Sequence, residues 1–454
     1  MSNLDKILQD IKNLVDEKIE NEKNWDKDKD WVKYSGPVFT SDEYVAAIKT
    51  LLGGWLIFGE KSNEFEKQFP KELGKKHGIL TNSGSSANLL MVSALLARDP
   101  AMKKEFGIEK GDKFITPVVC FPTTINPLIQ NGLVPVFVDV TLPSLNLDLD
   151  QVEKLLVEDA QKPKREIKGI IFAHVLGNPP DMDRLMALVE KYDLVFLEDS
   201  CDALGSTYDG KLLGSFGDIS TCSFFPAHHM TMGEGGFVAT NSSRVKKVLS
   251  SIRDWGRACY CNSFKPGDVT CETACGNRFG NWLKVDGANY DHRYVFDEIG
   301  YNLKPLDLQA AMGLEQLKKL DHLHQRRKEN FEKLTKVFEP YQDVFHLPKA
   351  MEKSDPSWFG FLLTLKDGVN FNRLQFVNHL ERNRIQTRSY FTGNCLYHPA
   401  YADIAKDYTD IKGQFPIAHK VTFDTLFLGT FAGITDDKIA HIKETVDEFF
   451  KNRK

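Results

Sequence analysis

Residues 221–240, TCSFFPAHHMTMGEGGFVAT, decide how the rest of the chain is read. Residues 220–225 form a short β-prone run that reads as a buried strand. Pro226-Ala227-His228-His229 is a polar turn, and Gly233, Gly235 and Gly236 mark a corner before a second short strand. Open α/β sheets bind their ligands at the carboxyl ends of strands, so this turn carries two imidazoles to such an end. No lysine occurs between Lys211 and Lys246. Imidazole can move a proton near neutral pH, although a histidine pair taken alone is more often structural.

Working outward, apolar runs at 78–81, 114–119, 134–138, 167–175, 194–197, 219–225 and 237–240 alternate with helical periods such as 86–97, 149–158 and 182–191. That alternation predicts an α/β fold, a mostly parallel sheet with helices on both faces. Residues 1–35 read as an N-terminal helix and a charged linker (23–33), 36–310 as a large domain, and 311–454 as a linking helix and a smaller α+β domain. The linking helix is expected as one long stretch over 305–338. A short helix is expected over 40–52 with Ser41 as its N-cap, followed at 53–59 by an apolar, turn-rich loop.

The chain has 454 residues and a net charge of −5, from 58 basic and 63 acidic side chains. That balance argues against a nucleic-acid or membrane-surface binder. No apolar run approaches the roughly 18 residues of a membrane span. The N-terminus is charged and amphipathic, unlike a signal peptide, so a cytoplasmic protein is expected.

Three further groups of residues carry chemistry. Residues 82–88, NSGSSAN, end a strand and open a helix. Gly84 permits the turn, and the helix N-terminus with the Ser85 and Ser86 hydroxyls suits a phosphate. Asp199 ends another strand, which puts a carboxylate at the same edge of the sheet. Of eight cysteines, Cys201, Cys259, Cys261, Cys271 and Cys275 read as metal or redox ligands rather than a disulfide framework. Four thiolates suit a [2Fe–2S] cluster or a structural zinc, and spacing alone does not choose between them. Cys120, Cys222 and Cys395 are expected to pack as small apolar residues. No dinucleotide fingerprint follows a strand.

Ser223, Phe224 and Gly233-Glu234-Gly235-Gly236 resemble the active-site segment of sugar-nucleotide aminotransferases, which are fold-type I pyridoxal-phosphate enzymes. His228 stands where that family carries the lysine of the cofactor Schiff base. The resemblance implies cofactor-phosphate contacts from Gly84, Ser85, Ser86 and Ser223, and ring stacking by Phe121. It pairs Asp199 with the pyridine nitrogen and puts Asp202 where a glutamine is common. Asn302, in Gly300-Tyr301-Asn302-Leu303-Lys304-Pro305, would reach a neighbouring subunit's phosphate, implying a homodimer. A lysine-free site favours pyridoxamine phosphate, with His228 as general base.

Asp199-Ser200-Cys201, the histidine turn and Trp255-Gly256-Arg257-Ala258-Cys259-Tyr260-Cys261 together resemble the lysine-less 3-dehydrases of this family. That likeness implies a [2Fe–2S] cluster on Cys201, Cys259, Cys261 and Cys275, fed by a separate NAD(P)H-dependent flavin/iron–sulfur reductase. Thirteen residues separate Cys261 from Cys275, a longer loop than the likeness predicts, and Cys271 is an alternative ligand. The implied substrate is a nucleotide-linked 4-keto-6-deoxyhexose such as CDP-4-keto-6-deoxyglucose, which loses its C3 hydroxyl on the way to 3,6-dideoxysugars. His229, Arg388 and His398 are candidate substrate contacts. Two alternatives remain: a cluster-free 3-dehydratase that regenerates its amine cofactor from glutamate, and a catalytically dead binding protein with structural zinc.

Overall fold

The apolar runs on either side of the histidine turn assemble into one sheet. The computed structural model describes residues 2–22, 24–259, 279–280, 282–451 and 453. Its seven long strands are β1 (His77–Thr81), β2 (Lys113–Pro117), β3 (Val134–Val138), β4 (Ile167–Ala173), β5 (Val195–Asp199), β6 (Ile219–Ser223) and β7 (Gly236–Thr240). They lie in the order β1-β7-β6-β5-β4-β2-β3. Every neighbouring pair is parallel except those of β7, which runs antiparallel to both β1 and β6. All residues of β5, β6 and β7 are buried, as expected for strands covered on both faces. The fold is therefore the α/β arrangement expected of a fold-type I transferase.

The smaller unit is an antiparallel sheet of Phe345–His346, Gly360–Leu365, Thr425–Gly429 and Arg388–Ser389, in that spatial order. Helices Leu320–Phe338, Arg373–Arg382 and Asp436–Lys451 bury Phe338, Phe376 and Phe449 against it. Part of the apparent linker belongs here too. Val32 N donates to the Arg384 carbonyl at 2.8 Å, and Gln386 N donates to the Val32 carbonyl at 2.9 Å. No helix among the described residues is long and apolar enough to cross a membrane.

Two local expectations change. The expected single helix over 305–338 is two helices, Asp307–Leu317 and Leu320–Phe338, so a boundary at residue 310 would fall inside the first. The chain leaves the helical region at Lys319, whose Nζ sits 2.7 Å from the buried Glu43 carboxylate. Thr40, not Ser41, caps helix Ser41–Leu52: its extended backbone lets Glu43 accept from Thr40 N at 2.9 Å in a capping box. The loop at 53–59 is open, with Leu56 and Ile57 exposed. It is anchored by Asp307, which accepts from Gly59 N at 3.0 Å and Ser62 N at 2.8 Å.

Candidate active site

The carboxyl ends of β1, β2, β4, β5 and β6 open on one cavity of about 620 Å³, closed on the other side by the small domain. Gly84, Ser85, Phe121, Asp199, Cys201, Asp202, Ser223, His228 and Arg388 line it, as do Tyr34, Asn88 and Thr124. Sequence reading thus nominated much of one cavity wall from scattered positions. Among the described lining residues none is a lysine.

One end of the cavity is built for an anion. Helix Gly84–Leu95 begins there, with Ser83 as N-cap accepting from Ser86 N at 3.0 Å. Gly236 pairs with Thr81 on one side and Ser223 on the other, and it passes directly under the cap. A Cβ on Gly236 would lie 2.1 Å from the Ser83 carbonyl oxygen, and one on Gly84 would lie 2.5 Å from Ser223 Cβ. Only glycine permits this approach, which leaves backbone N–H groups and the Ser85 hydroxyl facing the cavity. Ser86 is not a lining residue: its hydroxyl is drawn back to Ser83 Oγ at 3.0 Å.

Strand alternation sends the two acids of β5 to opposite faces. Glu198 turns away and accepts from Gly217 N at 2.8 Å beside His174. Asp199 faces the cavity, held by Asn88 Nδ2 at 2.8 Å, Thr124 Oγ1 at 2.9 Å and Cys201 N at 3.1 Å. Asn88 is itself fixed by Thr221 Oγ1 at 2.6 Å. Phe121 is 47% exposed and meets Phe391 edge-on at 5.7 Å, so its ring is available to a flat ligand. A planar heteroaromatic ring with a phosphate on one side and a protonatable nitrogen opposite fits this cradle.

His228 follows β6 in a turn closed by its N–H to the Phe225 carbonyl at 3.0 Å. Its Nδ1 lies 3.5 Å from Asp202 Oδ1. Beneath it, buried Arg327 donates to the His228 carbonyl at 2.9 Å and the Ala227 carbonyl at 3.3 Å. Burial, then the Arg327 cation, push the His228 imidazole down to about 3, so it is neutral at pH 7. Burial and the neighbouring Asp199 charge push Asp202 well above the usual carboxylate range.

Several nominated residues are not brought to this cavity. His229 is buried, its Nε2 2.5 Å from the Ser357 carbonyl, so it supports the turn from behind rather than meeting a substrate here. His398 faces the Thr392 carbonyl at 2.9 Å, and Asn302 is exposed on a bridge with Asp254; neither lines the cavity. Cys261, Cys271 and Cys275 lie outside the described residues. Cys201 and Cys259 are both half-buried, whereas Cys120, Cys222 and Cys395 are 3%, 0% and 0% exposed and pack as small apolar groups. Burial, then Asp199, raise the Cys201 thiol. Among the described residues no three metal-ligating side chains converge.

Sequence reading passed over Tyr34, Asn88, Thr124 and Arg327. Asn88 left a signal, as a polar residue inside the apolar helix segment ANLLMVSAL.

A mostly parallel sheet with an anion-ready helix start, a buried acid and an aromatic wall at one edge defines a pyridoxal-phosphate-type transferase site. Residues 38–447 match the DegT/DnrJ/EryC1/StrS aminotransferase family, and the chain belongs to it. It is 41% identical to the lipopolysaccharide biosynthesis protein RfbH of Salmonella typhimurium, over 92% of this chain and 91% of that one. It is 40% identical to the dTDP-4-dehydro-2,6-dideoxy-D-glucose 3-dehydratase of Saccharopolyspora spinosa, over 92% and 86%. Among solved structures, a GDP-4-keto-6-deoxymannose-3-dehydratase with a trapped PLP-glutamate geminal diamine superposes with a TM-score of 0.75 at 29% identity, covering 91% of this chain and 99% of that one.

Proposed function

We propose that this protein removes the C3 hydroxyl of a nucleotide-linked 4-keto-6-deoxyhexose, using pyridoxamine phosphate and a [2Fe–2S] cluster. The observation that carries the reading is His228: a neutral imidazole faces the cavity, and no lysine is among its described lining residues. The proposed holders of the cofactor are Gly84, Ser85 and Ser223 for the phosphate, Phe121 for the ring face, and Asp199 for the ring nitrogen. When bound, the cofactor supplies an amine for the C4 ketone and a ring that accepts electrons. His228, neutral and held by its own carbonyl, takes a proton from carbon and can return it toward the departing C3 oxygen. Asp202 faces its Nδ1 at 3.5 Å. Phe225, Phe359 and Phe427 give the cavity an apolar wall.

A [2Fe–2S] cluster held by Cys201, Cys259, Cys261 and Cys275, with Cys271 the alternative fourth ligand, would supply single electrons from a separate NAD(P)H-dependent flavin/iron–sulfur reductase. Cys201 supports this by opening on the cavity beside Asp199. The proposed chemistry resembles that of CDP-6-deoxy-L-threo-D-glycero-4-hexulose 3-dehydrase, and its product would feed 3,6-dideoxysugar synthesis. A cytoplasmic homodimer completes the proposal, with Asn302 serving the neighbouring site.

His228→Asn should lower deoxygenation at least about a hundredfold while leaving the unfolding midpoint and pyridoxamine-phosphate retention unchanged. Unchanged turnover would remove the base assignment. Anaerobic purification with iron, sulfide and zinc quantified together separates the cluster reading from its rivals. The PLP-glutamate adduct of the solved relative favours the glutamate-regenerated alternative, which predicts neither iron nor sulfide; zinc without retained cofactor would point to a binding protein.

A further inference from the structure

Tyr34 lies before the family-matched residues, which begin at 38, yet its side chain lines the cavity. Its placement is built in detail. Val32 is 2% exposed and bridges Ile385 in parallel. Tyr34 N donates to Gln386 Oε1 at 3.3 Å. Gly429 gives the segment room: a Cβ there would lie 1.9 Å from the Tyr34 carbonyl oxygen.

The Tyr34 ring meets Phe427 edge-on at 6.1 Å, and the Arg388 guanidinium lies over its face at 3.9 Å from the centroid. Arg388 sits opposite Phe427 in the small sheet. Its Nη1 donates to the Thr387 carbonyl at 2.8 Å, and among the described residues no carboxylate pairs with it. It is an exposed side chain, so an uncompensated cation, flattened on an aromatic face, stands at the cavity wall. The anion site for the cofactor phosphate is elsewhere, on the Gly84–Leu95 helix start of the large domain. A planar guanidinium with a free edge suits a second, bidentate phosphate.

Resting on the nucleotide-sugar reading above, we infer that Tyr34 is a positioning residue for substrate binding: it pre-orients Arg388 to hold the diphosphate of the nucleotide-activated sugar. Stacking fixes a side chain that would otherwise lose rotamer freedom on binding, so the ring strengthens the contact without touching the phosphate.

The test is calorimetric binding of CDP, UDP, GDP and dTDP, and of the corresponding nucleosides, to the full-length protein loaded with pyridoxamine phosphate. Tyr34→Leu should weaken the preferred diphosphate about tenfold and leave the nucleoside unaffected, while Tyr34→Phe binds as wild type. Arg388→Lys keeps the charge but not the planar face; on an exposed residue it tests the same coupling without threatening the fold, and should cost as much as Tyr34→Leu. The double variant Tyr34→Leu/Arg388→Lys should bind no more weakly than either alone. Diphosphate affinity within twofold of wild type in Tyr34→Leu or Arg388→Lys, loss in Tyr34→Phe, or additive losses in the double variant would overturn the inference and leave the substrate class standing. A wild-type protein that binds none of the four diphosphates would sink the nucleotide-sugar reading, and this inference with it.

Discussion

Arg327 shows how one buried charge can set the state of the residue above it. It is 3% exposed and spends its donors on the carbonyls of Ala227, His228, Trp358 and Phe359. Burial lowers it to about 9, with Asp202 opposing, so it remains a cation at pH 7. Arg327→Met should therefore raise the His228 pKa, moving the acid limb of the pH–rate profile upward; NMR titration of the imidazole checks this. The same change should cost about 2–4 kcal/mol in urea unfolding, since buried carbonyls lose their donors. A second consequence concerns acid. His228, His229 and His324 are all lowered chiefly by burial, His228 and His324 to about 3. They are neutral in the fold, whereas in the unfolded chain they protonate near 6.5, so the unfolded state binds more protons as pH falls below that value. Stability should decline from about pH 6.5 toward pH 3, by up to ~1.4 kcal/mol per pH unit for each histidine. The raised Asp202 pulls the other way. Urea midpoints at pH 7 and pH 5 measure the slope, and His324→Gln should flatten it. Arg327 was legible in principle. Leu320, Leu323, Arg327, Asn330, Phe331 and Leu334 share the buried face of their helix, and an arginine on that apolar stripe is out of place in an otherwise solvated charge run. Tyr34 was not legible, because only a hydrogen bond to the side chain of Gln386, more than 300 residues away, gives it a site.

At the scale of elements, the cavity depends on β7 crossing under the start of helix Gly84–Leu95. Gly236→Ala would press a methyl group into the Ser83 backbone, 2.1 Å from its carbonyl oxygen, and neither partner is a flexible side-chain end. The expected cost is at least about 2 kcal/mol, with pyridoxamine-phosphate affinity reduced tenfold or more as the N–H groups turn off axis; fluorescence titration and urea unfolding measure the two effects. The sheet strands were readable because strands buried on both faces are continuous apolar runs, and the glycine corner stood out for its spacing. The break between Leu317 and Leu320 was not, since Lys318 and Lys319 are good helix formers and carry no stop signal. It follows from a tertiary pairing of Lys319 with Glu43. Likewise Ser85 and Ser86 look equivalent in sequence, and only the hydrogen bond of Ser86 to the Ser83 cap takes one of them out of the cavity wall.

For the molecule as a whole, the surface around 51–57 is apolar and open. Leu51, Leu52, Leu56 and Ile57 are 48%, 58%, 48% and 57% exposed, a run of apolar side chains that a soluble chain does not normally leave open. Leu306, 46% exposed, starts the helix whose Asp307 holds this loop. Asn302 lies a few residues earlier, exposed and outside its own cavity. A twofold dimer through this face would cover the apolar run, and under the proposed sharing of sites Asn302 would reach the other copy. Ile57→Glu should shift sedimentation toward monomer. Sharing itself has a sharper test, which mixes two inactive proteins. In a heterodimer of His228→Asn and Asn302→Ala subunits, one site receives both lesions, and the other combines an intact His228 with an intact Asn302 from across the interface. Refolding an equal mixture makes half the dimers mixed, so about a quarter of wild-type activity should return. If Asn302 serves its own chain's site, every site in the mixture carries one lesion and nothing returns.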